Sequence, residues 1–150
     1  MRQTRRLRVN APPQRVWELI DDDAKLSSWM PHIVATHYPD GRPATKAKGT
    51  RFRHEMTNGE QFVSYPGEIT EYQPGTLLGM LLEPEALKMH AVYHVTGDDD
   101  WTMLEYGCDV RATSVRGWLL LWYGKKTLNR ILDQQLALLR LVAEGKIDKV

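Results

Sequence analysis

Leu7-Arg8-Val9-Asn10-Ala11-Pro12-Pro13-Gln14-Arg15-Val16-Trp17 reads as a strand running straight into a proline-started helix. Proline is tolerated in the first turn of a helix, where a missing N–H costs nothing, and Val16, Trp17 and Ile20 then follow at helical spacing. At the other end of the chain, residues 118–144 read as one long amphipathic helix, and nearly everything between the two reads as strand. A single terminal helix laid along an antiparallel sheet leaves a space that a ligand can fill. A small-molecule cavity is therefore the leading expectation.

Composition narrows the class. At 150 residues, with 42% hydrophobic and 26% charged residues, the chain fits one ordinary globular domain, 1–150, with no need of a disulfide or metal staple. The single cysteine, Cys108, has no internal partner and suits a reducing compartment. Arg2, Arg5, Arg6 and Arg8 interrupt the N-terminal residues before any signal-peptide core forms, and the run Leu119 to Tyr123 falls far short of the ~20 residues that cross a bilayer. The expectation is a cytoplasmic protein without integral membrane contact. A net charge of +1 offers no general attraction for nucleic acid, and a strand over residues 3–9 puts Arg6 and Arg8 on a solvated face, opposite Leu7 and Val9.

Turn chemistry divides the middle of the chain. Asp21-Asp22-Asp23 ends the first helix and caps a short second one over 24–28, which Trp29-Met30-Pro31 breaks. Strands are expected over 33–38, 50–56, 61–72, 77–82, 89–96 and 102–111. Asn58-Gly59 predicts a tight hairpin, Pro66-Gly67 a bulge or a sheet edge, and 41–49 a mobile loop. Short strands joined by short turns predict an antiparallel meander, hence an α+β fold.

Side-chain alternation gives the facing. Leu104, Tyr106, Cys108 and Val110 share one face, and so do Met89, Ala91, Tyr93 and Val95, opposite Lys88, His90 and His94. Residues 77–82 are apolar on both faces, which leaves one side to meet another chain. At about 100° per residue, the last helix gathers Leu121, Leu128, Ile131, Leu132, Leu138, Leu139 and Val142 on one arc. Gly124 notches that arc, and Gln135 sets an amide near its centre.

The stretches Val9 to Asp21 and Leu26-Ser27-Ser28-Trp29-Met30-Pro31 resemble the opening of the START/Bet v 1-like (SRPBCC) superfamily, which includes the polyketide cyclase/dehydrase and lipid-transport family. Gly49-Thr50-Arg51-Phe52-Arg53, Gly67 to Pro74 and the terminal helix follow in the same order, so the resemblance spans almost the whole chain. It implies a helix-grip fold, a curved antiparallel sheet of about seven strands around the C-terminal helix with two short helices near the N-terminus. It also implies a lipid, a polyketide or another apolar ligand between sheet and helix. No catalytic motif unites the group, and none is carried over.

Each candidate residue has a plain reading beside the functional one. His90 and His94 stand about 13 Å apart on a strand, too far to chelate a metal, and no metal or cofactor is expected. His54 shares a face with Phe52 and Met56, so it is a cavity contact, a hydrogen-bonded core histidine, or an acid/base. Cys108 reads as a small buried hydrophobe, and Trp29, Trp118 and Trp122 as packing residues, the last two with the option of lining an entrance. The expected ligand contacts are Phe52, His54, Tyr65, Tyr93, Leu104, Tyr106, Leu128, Ile131, Leu132 and Gln135. The tyrosine hydroxyls, His54 and Gln135 would orient an apolar or aromatic molecule, unless they satisfy one another. Two alternatives stand: a cofactor-free cyclase/dehydratase acting on such a ligand, and a protein-interaction module with a vestigial cavity. A monomer or homodimer is expected.

Overall fold

The computed structural model describes residues 1–57 and 59–147. In chain order it contains β1 (Arg2–Val9), α1 (Pro13–Asp21), a short 3-10 helix (Asp23–Ser28), β2 (Ile33–His37), β3 (Arg51–Thr57), β4 (Phe62–Gln73), β5 (Leu77–Leu82), β6 (Leu87–Gly97), β7 (Thr102–Ala112) and α2 (Val115–Ala143). The strands form one seven-stranded antiparallel sheet in the order β1-β7-β6-β5-β4-β3-β2. Strands β2 to β7 follow one another as hairpin neighbours, as the predicted meander requires. The connection from β1 on one edge to β2 on the other is made by α1 and the 3-10 helix, and α2 lies along the sheet: a helix-grip fold.

The N-terminal stretch folds as its residues dictate. Val9 is fully buried at the end of β1, Pro13 opens α1, and Val16, Trp17, Leu19 and Ile20 bury its inner face. Asp22 caps the next helix, its carboxylate accepting the Ala24 N–H at 3.0 Å. Arg2, Thr4, Arg6 and Arg8 face solvent, whereas Arg5 reaches Asp133 of α2 at 2.6 Å.

α2 begins at Val115, three residues before the predicted start, because the Ser114 hydroxyl caps it by accepting the Gly117 N–H at 3.2 Å. Gly117 is required there: a Cβ would stand 1.9 Å from the Ala86 carbonyl oxygen of the β5–β6 turn. At the other end, Arg15 donates to the carbonyls of Ala143 at 2.6 Å and Val142 at 2.8 Å, while Glu144 accepts the Asn10 N–H at 2.7 Å. These bonds satisfy the last carbonyls of α2 and tie it to the β1–α1 corner.

Only the second half of α2 seats firmly on the sheet. Its buried residues are Gly117, Leu132, Leu136, Leu139, Val142 and Ala143, so the predicted arc missed Leu136, and Leu121, Leu128 and Leu138 are half-buried. Trp118 and Trp122, expected to pack, are exposed and stack on each other at 5.3 Å. Two turn readings also change. Thr57 pairs with Phe62, so four residues join β3 to β4 instead of the two of a tight turn; Asn58 lies outside the described residues. Pro66-Gly67 sits in regular pairing with β3, and the bulge falls between Ile69 and Glu71. Gly67 serves a close approach, since a Cβ there would meet the Phe52 ring at 2.5 Å.

Candidate functional site

Between sheet and α2 lies a cavity of about 230 Å³. Its floor comes from the inner positions of β3 to β7, including Phe52, Ile69, Leu78, Met80, Ala91 and Tyr93, and its roof from Leu128, Ile131, Leu132 and Gln135 of α2. One end is closed by Ile20, Leu26, Trp29, Met30 and Ile33 from the helical connection and β2. Four methionines, Met30, Met56, Met80 and Met89, stand on the wall, and their flexible thioethers let an apolar wall adapt to different shapes.

Of the residues the sequence nominated, Phe52, His54, Tyr65, Tyr93, Tyr106, Leu128, Ile131, Leu132 and Gln135 all line this space. Leu104 does not. It pairs with Val95, one inward step beyond the Tyr93–Tyr106 pair where the cavity ends, and it is fully buried in the core. Ile131 lines the wall but is 40% exposed, because it stands at the edge of the arc that buries Leu132.

The tyrosines of β6 and β7 form a dry pair. Tyr93 and Tyr106 face each other across the strands with ring centroids 4.8 Å apart, and Trp29 meets Tyr93 edge-on at 6.2 Å. Burial pushes both hydroxyls well above the usual tyrosine range, so both stay protonated donors. Burial likewise raises the Cys108 thiol, which is inert packing behind Tyr106.

His54 is the buried titratable group of the wall. Its Nδ1 lies 3.0 Å from the Thr36 hydroxyl, and the Phe52 ring packs against it at 4.7 Å. Burial pulls its pKa down to about 4, with Asp23 opposing and Lys46 adding to the shift. The ring is therefore neutral at physiological pH and offers hydrogen bonding without charge.

A polar cluster beside it escaped the sequence reading. Asp23 accepts hydrogen bonds from Tyr38, from Lys46 at 3.1 Å and from Arg42 at 3.2 Å. Lys46 also donates to the Asp21 carbonyl, and Tyr72 donates to the Asp21 carboxylate at 3.0 Å. Asp23, Tyr38 and Lys46 reach the cavity wall, so the loop expected to be mobile is strapped to its end. Asp23 and Lys46 are mostly buried, with side chains 11% and 14% exposed. Burial first, then the Asp23 carboxylate, raises the Tyr38 hydroxyl; burial and Asp21 raise that of Tyr72 to about 12. Local pattern could not show this cluster, because Asp21 and Asp23 read as helix-end residues and Lys46 lies in a stretch without periodicity. Among the described residues no group of three or more His, Cys, Asp or Glu is placed to hold a metal.

Gln135 lines the roof and is partly buried, and its amide bonds no other described residue. A half-buried amide on an apolar wall forgoes the burial that an apolar side chain of similar size would gain, about 1 kcal/mol. Gln135→Leu is therefore expected to raise the unfolding free energy of the ligand-free protein by about 1 kcal/mol, read by urea denaturation. A loss of stability would mean that the amide holds a protein partner after all.

Comparison with known proteins agrees with this architecture. No curated protein matches the chain. Among solved structures, it is similar to TTHA0849 from Thermus thermophilus, at 15% identity and TM-score 0.71, covering 97% of this chain and 99% of that one. It is also similar to NE0264 from Nitrosomonas europaea, at 14% identity and TM-score 0.74, covering 97% and 96%. A third is the Zhui aromatase/cyclase from Streptomyces sp. R1128, at 12% identity and TM-score 0.70, covering 97% and 92%. At such identities the likeness shows the fold alone, a curved antiparallel sheet with a long C-terminal helix. The family model described as polyketide cyclase / dehydrase and lipid transport matches residues 2–144, so the chain belongs to that family.

Proposed function

We propose that the cavity binds one small apolar or aromatic molecule carrying a neutral polar group. The observation that carries the reading is an apolar chamber whose polar lining includes a neutral histidine, His54, and an unpartnered amide, Gln135. Apolar burial at about 25 cal/mol per Å² supplies the driving force, and these few polar groups set orientation. Size narrows the class: an apolar cavity of about 150 Å³ takes benzene, so about 230 Å³ suits on the order of ten non-hydrogen atoms. A fused two-ring compound fits this volume better than a long acyl chain does.

The cyclase/dehydratase alternative would use His54 or a tyrosine as acid/base. A pKa of about 4 makes His54 a weak base at neutral pH, its hydrogen bond goes to the Thr36 hydroxyl instead of a carboxylate, and burial holds the Tyr93 and Tyr106 hydroxyls protonated. Binding without turnover is the reading this supports.

Native mass spectrometry of the purified protein should reveal a co-purified small molecule. Calorimetric titration with 2-naphthol should give one site per chain, and Ala91→Phe, which fills the floor from a buried strand position, should weaken it at least tenfold, about 1.4 kcal/mol. Equal binding by the filled variant, or none by the wild type, would overturn the proposal.

A further inference from the structure

The first two turns of α2 break the pattern of an ordinary surface helix. Val115, Trp118, Leu119, Leu120, Trp122 and Tyr123 are all exposed, with Trp122 68% and Tyr123 80% accessible. They point around most of the helix circumference, so they are not the edge of a core-facing stripe. A contiguous exposed apolar surface of this kind marks a contact with something outside the chain.

The β5–β6 turn and the start of α2 lie at one end of the antiparallel sheet. The start of α2 is held against the β5–β6 turn by Arg116, which donates to Glu85 at 2.5 Å, and by the Gly117–Ala86 contact. The patch is thus presented on a fixed support.

Charge indicates what covers it. Residues 115–132 contain Arg116, Lys125, Lys126 and Arg130 and no Asp or Glu. Arg116 is paired with Glu85, while Lys125, Lys126 and Arg130 form no ion pair among the described residues. Exposed Trp and Tyr rings followed by unpaired cations match a lipid headgroup layer, where aromatic rings settle at the interface and basic residues meet anionic lipid. Packing this face on a second copy about a two-fold axis would bring two copies of the same cationic patch together. No helix among the described residues is long and apolar enough to cross a membrane, so the contact is with its surface.

We propose that the exposed face of the first turns of α2 docks on an anionic lipid surface. Leu128 and Ile131, which roof the cavity, follow on the same helix and point away from Trp122 and Lys126. The proposal stands on the exposed face and does not depend on what fills the cavity.

Flotation with vesicles tests it. The wild type should float with vesicles of equal parts phosphatidylglycerol and phosphatidylcholine, lose binding as salt rises, and stay behind with phosphatidylcholine alone. Trp122→Ala/Tyr123→Ala and Lys125→Glu/Lys126→Glu alter only exposed side chains, so both should melt like the wild type while binding at least tenfold more weakly. Failure of the wild type to bind anionic vesicles, or undiminished binding by both double variants, would overturn the proposal. So would a concentration-dependent dimer that falls apart in Trp122→Ala/Tyr123→Ala, which would assign the face to a second copy.

Discussion

Trp29→Ala is expected to lower the unfolding free energy by about 3–5 kcal/mol, the range for deleting a large buried aromatic side chain. Trp29 is 1% exposed and closes one end of the cavity. Its indole N–H donates to the Leu19 carbonyl at 2.7 Å, joining the helical connection to the cavity end, and its ring meets Tyr93 on the sheet. Removing it leaves a buried carbonyl unpaired and opens a void that its neighbours, fixed by α1 and β6, cannot close. Trp122→Ala is the matched control. The same substitution at a ring 68% exposed should change stability by less than about 0.5 kcal/mol. Urea denaturation of both variants reads the contrast, and a loss below about 1 kcal/mol at Trp29 would mean that the cavity end is far softer than its packing implies.

These two tryptophans also show where sequence was legible and where it was not. Both sit in apolar surroundings along the chain, Trp29 beside Leu26 and Met30, Trp122 beside Leu121 and Tyr123, and both were expected to pack. Alternation and turn chemistry sufficed for the strands: Met89, Ala91 and Tyr93, or Phe52, His54 and Met56, can share a face only one way once the strand exists. Helical phase is weaker evidence. A helix as apolar on all sides as residues 117–123 does not announce which arc is covered, and its first half proved to be open surface. Leu136 was missed because it falls at the margin of the arc drawn through Leu128, Leu132 and Leu139. The Asp23–Lys46–Tyr38 cluster was illegible because its members come from a helix end, a loop and the end of β2. Only the assembled fold brings them together. Leu104 was misplaced by two residues, since alternation fixes the face of a strand and not how far along it a cavity extends.

His54 gives the second large effect, and its sign follows from where the proton resides. The ordinary histidine value is 6.5, and burial holds His54 at about 4 in the folded protein. Between these values the unfolded chain binds a proton that the folded chain refuses, so acid favours unfolding. The stability tied to the neutral ring is complete above about pH 6.5, falls as pH drops through the window, and stops changing below about pH 4. From about pH 7 to about pH 5 the loss is about 2 kcal/mol, part of about 3 kcal/mol over the whole window. His54→Gln keeps a group able to hydrogen-bond the Thr36 hydroxyl but cannot take up a proton there. The variant should lack this part of the acid sensitivity while the carboxylates, common to both proteins, titrate alike. Urea denaturation of wild type and variant across that range gives the difference directly. If the two curves run parallel, His54 takes up its proton as readily in the fold as in the unfolded chain, and the wall is wetter than its burial implies.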